Sequence, residues 1–183
     1  LLGSAEQEQI APGTSTNSNE YEGEVSEEVL SRLVRWEYPA VDTANDAMDN
    51  DSDGIVDEPG EIDPHLGYSF SKAYAVNANA PSGSHRPVVI FGNGYNSPKG
   101  QAVLYVLEAH SGRILRKIDT GVGDCNGLST PALVDIDLDR RVDYAYAGDL
   151  KGNLWKFDLT AADPAKWRVA FPAQVGGQPQ PLF

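Results

Sequence analysis

The chain reads as all-β, built from β-propeller blades of four antiparallel strands with quinoprotein-like repeats, preceded by a short helix and an acidic, disordered N-terminus. Three observations predict this. From Gly67 onward, short runs of β-formers are punctuated by Gly, Asn and Pro at intervals of about ten residues, the spacing of sandwiches, barrels and propellers. A repeat then selects among these: the run Val103-Leu104-Tyr105-Val106-Leu107-Glu108 recurs fifty residues on as Asn153-Leu154-Trp155-Lys156-Phe157-Asp158. Finally, the acidic run Asp135-Ile136-Asp137-Leu138-Asp139-Arg140-Arg141-Val142-Asp143 sits between two apolar β-type runs, where a strand-to-strand turn belongs.

Taken in order, residues 1–23 are Ser, Asn, Glu, Gln and Gly with few apolar groups. Such a composition cannot offset the entropy of ordering, so this stretch reads as disordered linker or insert. Residues 24–65 read as a short helix followed by an acidic loop. Ser26 caps a helix predicted over 27–37, with Glu27 and Glu28 in the first turn and Arg32 and Arg35 later, as the helix dipole prefers. Pro39 stops it. Residues 66–183 then carry two blades and the opening of a third. Opening strands are expected at 69–76 and 128–134, second strands at 88–94 and 143–149, third strands at 103–108 and 153–158, and outer strands at 114–118 and 167–171. Two blades cannot close a ring, and residues 178–183 look like the start of another, so the propeller is expected to extend further.

The acidic turn has carboxylates at positions 1, 3, 5 and 9 and a backbone carbonyl at position 7, an oxygen cage suited to calcium. Asp135, Asp137, Asp139 and Asp143 would supply the carboxylates, and Arg141 the carbonyl. A second match, Asp49, Asp51, Asp53, Ile55 (by its carbonyl) and Asp57, lies in the irregular stretch before the blades. Position 12 is Tyr146 in one loop and Gly60 in the other, so neither is an EF-hand. Position 6 is Gly54 in one and Arg140 in the other; keeping a left-handed backbone at Arg140 costs roughly 1 kcal/mol.

Composition narrows the function. With 40% apolar and 22% charged residues the chain is globular in kind, and 27 acids against 14 bases give a formal net charge of −13. That excess repels phosphate backbones and argues against a nucleic-acid partner. A single cysteine, Cys125, excludes an internal disulfide. No apolar run approaches about eighteen residues, so no membrane-spanning segment is expected. Calcium at millimolar concentration belongs outside the cytoplasm, and the start at Leu1-Leu2-Gly3-Ser4, without a leader pattern, suggests a piece of a longer exported polypeptide.

The runs Leu66-Gly67-Tyr68-Ser69-Phe70-Ser71, Val88-Val89-Ile90-Phe91-Gly92-Asn93-Gly94 and Asn126-Gly127-Leu128-Ser129-Thr130-Pro131-Ala132-Leu133-Val134-Asp135, and the stretch 144–159 that contains Gly152-Asn153-Leu154-Trp155-Lys156-Phe157-Asp158, together resemble the PilC/PilY family of type IV pilus biogenesis and tip adhesin proteins. The resemblance covers 66–183. It implies a C-terminal β-propeller whose calcium loop, here Asp135, Asp137, Asp139 and Asp143, regulates pilus extension and retraction. It further implies export to the cell surface, association with pilus components such as minor pilins, twitching motility, and attachment to host or abiotic surfaces. Such families usually have Gly where this chain has Arg140. Two other readings share the architecture: a secreted, calcium-stabilised adhesion propeller of integrin-like type, and a quinoprotein dehydrogenase fragment. The latter requires a cofactor pocket with a ligand cluster, and no such cluster stands in the sequence. The reading is therefore non-enzymatic.

Overall fold

In a computed structural model, residues 35–38, 63–81, 85–171 and 178–183 are described. The predicted disordered stretch 1–23, most of the predicted helix and the whole second acidic loop (Asp49, Asp51, Asp53, Ile55, Asp57) lie outside them. The last three positions of the predicted helix, Arg35, Trp36 and Glu37, are described and are not helical.

Eight strands follow in chain order: β1 (Tyr74–Asn79), β2 (His85–Gly92), β3 (Val103–Glu108), β4 (Ile114–Asp119), β5 (Ala132–Val134), β6 (Tyr144–Gly148), β7 (Leu154–Asp158) and β8 (Arg168–Val169). They form two antiparallel sheets, ordered β1-β2-β3-β4 and β5-β6-β7-β8, which are the two blades read from the repeat. Register confirms the equivalence, since Gly92 faces Leu104 in blade 1 and Gly148 faces Leu154 in blade 2.

The opening strands start later than expected. Ahead of β1 and β5 each chain segment makes one bridge only, Tyr68 to Tyr95 and Leu128 to Asp149. Side chains take over part of the ladder there: the Ser69 hydroxyl donates to the Gly92 carbonyl (2.8 Å) and the Gly92 amide donates to the Ser71 hydroxyl (2.9 Å). The outer strand of blade 2 is also shorter than expected, with two paired residues. A 3-10 turn at Pro164–Lys166, capped by Asp163, shortens it and delivers Trp167 into the interior, where its indole donates to Ala161 O at 2.8 Å.

Strand alternation divides the core. From blade 1, Val88, Ile90, Leu104 and Val106 meet Trp155, Phe157 and Val169 of blade 2 in one fully buried cluster. The seam is also hydrogen-bonded. Asn93 saturates its amide, donating to His65 O (2.6 Å) and Gln101 O (2.8 Å) and accepting from the Val103 and Leu128 amides (3.0 and 2.9 Å). Gly127 passes so close to Gly94 that a Cβ would strike its carbonyl. Asp149 occupies the position equivalent to Asn93 and accepts from Asn126, Asn153 and the Trp155 indole, each at 2.9 Å. Burial pushes its carboxyl up, but these donors outweigh burial and leave it below the usual carboxylate range.

On the other face of blade 1, Val103, Tyr105 and Leu107 pack against Trp36, Tyr38, Leu66 and Phe91. The Trp36 indole donates to Ala109 O (3.0 Å), fixing this short segment on the sheet. At its centre Asp63 is fully buried. Its carboxylate accepts from the Tyr38 hydroxyl, the Tyr105 hydroxyl (2.7 Å) and the His65 amide (3.0 Å), and pairs with Lys117 Nζ at 3.0 Å. Burial raises its pKa, yet the two phenols and the ammonium together hold it below its ordinary value. Both phenols are pushed far up, by burial first, then by the carboxylate at Tyr38 and by Tyr38 and the carboxylate at Tyr105.

Candidate metal centre

β5 ends at Val134 and β6 begins at Tyr144, so residues 135–143 form the turn between adjacent strands of blade 2, where the sequence placed the acidic loop. Three of its carboxylates converge: Asp135, Asp137 and Asp143 each offer an oxygen within 4.8 Å of the other two. Asp143 is buried, Asp135 half-buried and Asp137 exposed.

The turn is wound around these carboxylates. Asp135 accepts from the amides of Asp139 (3.2 Å) and Arg140 (2.7 Å), Asp137 from that of Asp139 (3.2 Å), and Asp143 from that of Ile136 (2.9 Å). Asp side chains that bind amides a few residues on make such turns locally stable. Each carboxylate retains lone pairs beyond these bonds. Leu138 (φ 64°) and Arg140 (φ 70°) are left-handed, so the strain expected of Arg140 at the sixth position is present.

Asp139 does not join the cluster. Its carboxylate accepts from the Arg141 amide (2.8 Å), Nε (2.6 Å) and Nη2. The Arg141 guanidinium accordingly holds the Asp139 carboxyl below its usual range. Arg141 thus acts on the turn through its side chain.

The far end of the turn belongs to both blades. Val142 bridges Ala78 of β1 in parallel sense, with its amide donating to Asn77 O at 2.8 Å. The Asn79 amide donates to Val142 O and Leu159 O (3.2 Å each) and to Asp143 Oδ1 (3.4 Å). Asn79 is a residue that sequence reasoning passed over, because it lies 64 positions from the carboxylate it touches, on the other blade.

The donor set decides what could bind. Three converging carboxylates with no thiol or imidazole in the cluster make a hard, all-oxygen site of the kind taken by calcium or magnesium rather than zinc. Among the described residues, no helix is long and apolar enough to cross a membrane.

Comparison with known proteins agrees with this architecture. A family model described as the PilY1 beta-propeller domain matches residues 33–175. The type IV pilus biogenesis factor PilY1 homolog of Xylella fastidiosa is 37% identical over 155 residues, covering 79% of this chain and 10% of that protein. PilY1 of Pseudomonas aeruginosa strain PAO1 is 41% identical over 135 residues, covering 64% of this chain and 11% of that protein. The chain thus spans about a tenth of the length of these relatives. The crystal structure of the Pseudomonas aeruginosa PilY1 C-terminal domain superposes with a TM-score of 0.55 at 38% identity, covering 66% of this chain and 26% of that one. With blade architecture, register and a match running through both blades in agreement, the chain belongs to the PilY1 β-propeller domain family.

Proposed function

We propose that the chain is a calcium-binding β-propeller segment of a type IV pilus tip or assembly factor. In this reading it acts without enzymatic activity in pilus extension and retraction, twitching motility and surface adhesion. Its partners are pilus components such as minor pilins together with host or abiotic surfaces, and its place is extracellular and pilus-associated. The observation that carries this reading is the convergence of Asp135, Asp137 and Asp143 on the β5–β6 turn of a PilY1-type propeller. Those three carboxylates would hold the ion, with the Arg141 carbonyl and Asp139 as the further ligands that the loop pattern suggests. Bound calcium would supply the positive charge that three crowded carboxylates lack.

The residues themselves set the consequence. Asp143 is fixed by Asn79 from blade 1, and Asp135 opens the turn from blade 2. A ligand held between them would tie the two strands of blade 2 together at the point where Asn79 of blade 1 meets them. Asp49, Asp51, Asp53, Ile55 and Asp57 make a second site in the same reading.

Calcium titration by calorimetry of the 183-residue chain, alongside Asp137→Ala and Asp51→Ala, tests the reading. The wild type is expected to bind two ions, and each variant to lose a different one. A dissociation constant near ambient calcium marks a switch, and one far below it a permanent strut. Absence of binding by the wild type at millimolar calcium would overturn the reading. In cells carrying the parent protein with Asp137→Ala, twitching zones are expected to shrink.

A further inference from the structure

Three aromatic rings lie side by side in solvent at one end of the sheets. Tyr68 is 62% exposed, Phe70 82% and Tyr95 45%, and clustered exposed apolar surface of this kind marks a place where something binds. They line a groove of about 330 Å³ shared by the two blades, within the range of small-molecule clefts. Tyr68 and Phe70 come from the segment ahead of β1 and Tyr95 from the β2–β3 connection. Ser129 and Thr130, ahead of β5, and Leu150, in the β6–β7 turn, form the opposite side. The groove is built into the backbone. The Tyr68 amide donates to Tyr95 O (2.8 Å), the Gly94 amide to Leu128 O (3.0 Å) and the Leu150 amide to Gly127 O (3.2 Å). A Cβ on Gly94, whose φ is 73°, would stand 2.2 Å from Tyr68 O, so only glycine lets these segments close the floor.

Ring geometry and charge restrict what fits. The Phe70 and Tyr95 rings are parallel to within 10° with centres 5.9 Å apart, and Tyr68 leans on Tyr95 at 5.7 Å and 52°. Rings this close admit nothing between them, so they form a shelf for a flat ligand face rather than a cage around a cation. Asp149 is the one charged residue among those lining the groove, and five donors already occupy its carboxylate. Lys151 and Asn153 give their amides to Oδ1, while the Asn126 and Asn153 side chains and the Trp155 indole donate to Oδ2. A formal net charge of −13 disfavours an anion as well. What the groove does offer is hydroxyls. Those of Tyr68, Tyr95 and Ser129 have no partner among the described residues, and Thr130 Oγ1 accepts from the Lys72 amide (3.0 Å) with its own proton left to donate.

We propose that this groove binds a neutral saccharide, with one sugar ring laid on the Phe70–Tyr95 shelf and its hydroxyls paired with those of Tyr68, Ser129 and Thr130. A pyranose has the two features the groove asks for. One face is a set of C–H groups polarised by the neighbouring oxygens, which the negative face of an aromatic ring attracts. Its rim is hydroxyls that donate and accept alike, as the free hydroxyls of the groove do, whereas a proline-rich peptide would present carbonyls and use the donors alone. The inference gives the surface adhesion proposed above a ligand class and rests on that reading for its role, but the groove takes no residue from the acidic turn.

Saturation-transfer NMR of the 183-residue chain with lactose, cellobiose and N,N′-diacetylchitobiose at millimolar concentration, each with and without calcium, tests it. Saturation is expected to reach the ring C–H protons on one face of a sugar under both conditions, so a failed calcium titration and a failed groove are told apart. Phe70→Ala removes an exposed ring and is expected to keep the wild-type Tm while weakening sugar binding about tenfold. Tyr95→Phe keeps the shelf, loses one hydroxyl and is expected to weaken binding less. Three results would overturn the proposal: no transfer to any of the three sugars, transfer undiminished in Phe70→Ala, or tighter binding of choline or of a proline decapeptide than of every sugar.

Discussion

Blades 1 and 2 share strand order and register, yet they place their carboxylates in opposite situations. Blade 1 takes one carboxylate, Asp63, into a dry interior and surrounds it with an ammonium, two phenols and a backbone amide. Its β1–β2 turn holds no acid. Blade 2 keeps its acids in the matching turn, three of them converging, with backbone amides and the Asn79 side chain as their donors. The first arrangement is complete within the chain, whereas the second has a charge imbalance that a dication would correct. Two sheets of the same strand order therefore carry one carboxylate as structure and another set as a candidate site.

The largest test of that contrast is Asp63→Ala. Removing one partner of a buried ion pair typically costs about 3–5 kcal/mol, so urea denaturation is expected to show a loss of that order. A loss under about 1 kcal/mol would place Asp63 with the surface carboxylates instead. Its pH dependence follows from the same geometry. The folded-state pKa of Asp63 lies below its ordinary value of 3.8, so its stabilisation is present above that value and disappears as pH falls through the lower, folded one. Denaturation at pH 6 and pH 3 is expected to show this acid loss in the wild type and a smaller one in Asp63→Asn.

Calcium comes next. At a hundredfold excess over its dissociation constant it is expected to raise stability by about 2.7 kcal/mol, an increment retained at the β5–β6 turn in Asp51→Ala and lost there in Asp137→Ala. The smallest effects lie inside the turn. Arg140→Gly relieves a left-handed Arg and is expected to gain about 1 kcal/mol in the same denaturation assay. Arg141→Ala frees the Asp139 carboxylate and removes a nearby cation, so calorimetric calcium affinity is expected to rise about fivefold, the equivalent of about 1 kcal/mol.

Much of this was legible in sequence because it is periodic. β3 matches the run Val103 to Glu108 residue for residue, and β4 and β7 fall within a residue of expectation, since alternating apolar positions fix both strand and face. The acidic turn was legible because spacing alone defines it. Asp63 was not, since a single Asp before Pro64 carries no pattern and its partners Tyr105 and Lys117 come from distant strands. Arg141 was a signal in plain view: an arginine two residues after Asp139 can fold back onto it, and it does. Pro39 disfavours helical backbone at Tyr38, in keeping with the non-helical 35–37 segment ahead of it.

The parallel bridge between Ala78 and Val142 bears on how the chain comes apart. In repeat architectures, stability is close to a sum of terms for each unit and terms for each junction between neighbours. Because the acidic turn ends on a strand of the preceding blade, its charge state enters the junction term as well as that of its own blade. Neutralising the turn would make the pair melt more nearly as one cooperative unit, and charging it would let either blade open ahead of the other. Hydrogen exchange at Asn77 through Asn79, on the blade without the acids, would then report the electrostatic condition of the blade that has them.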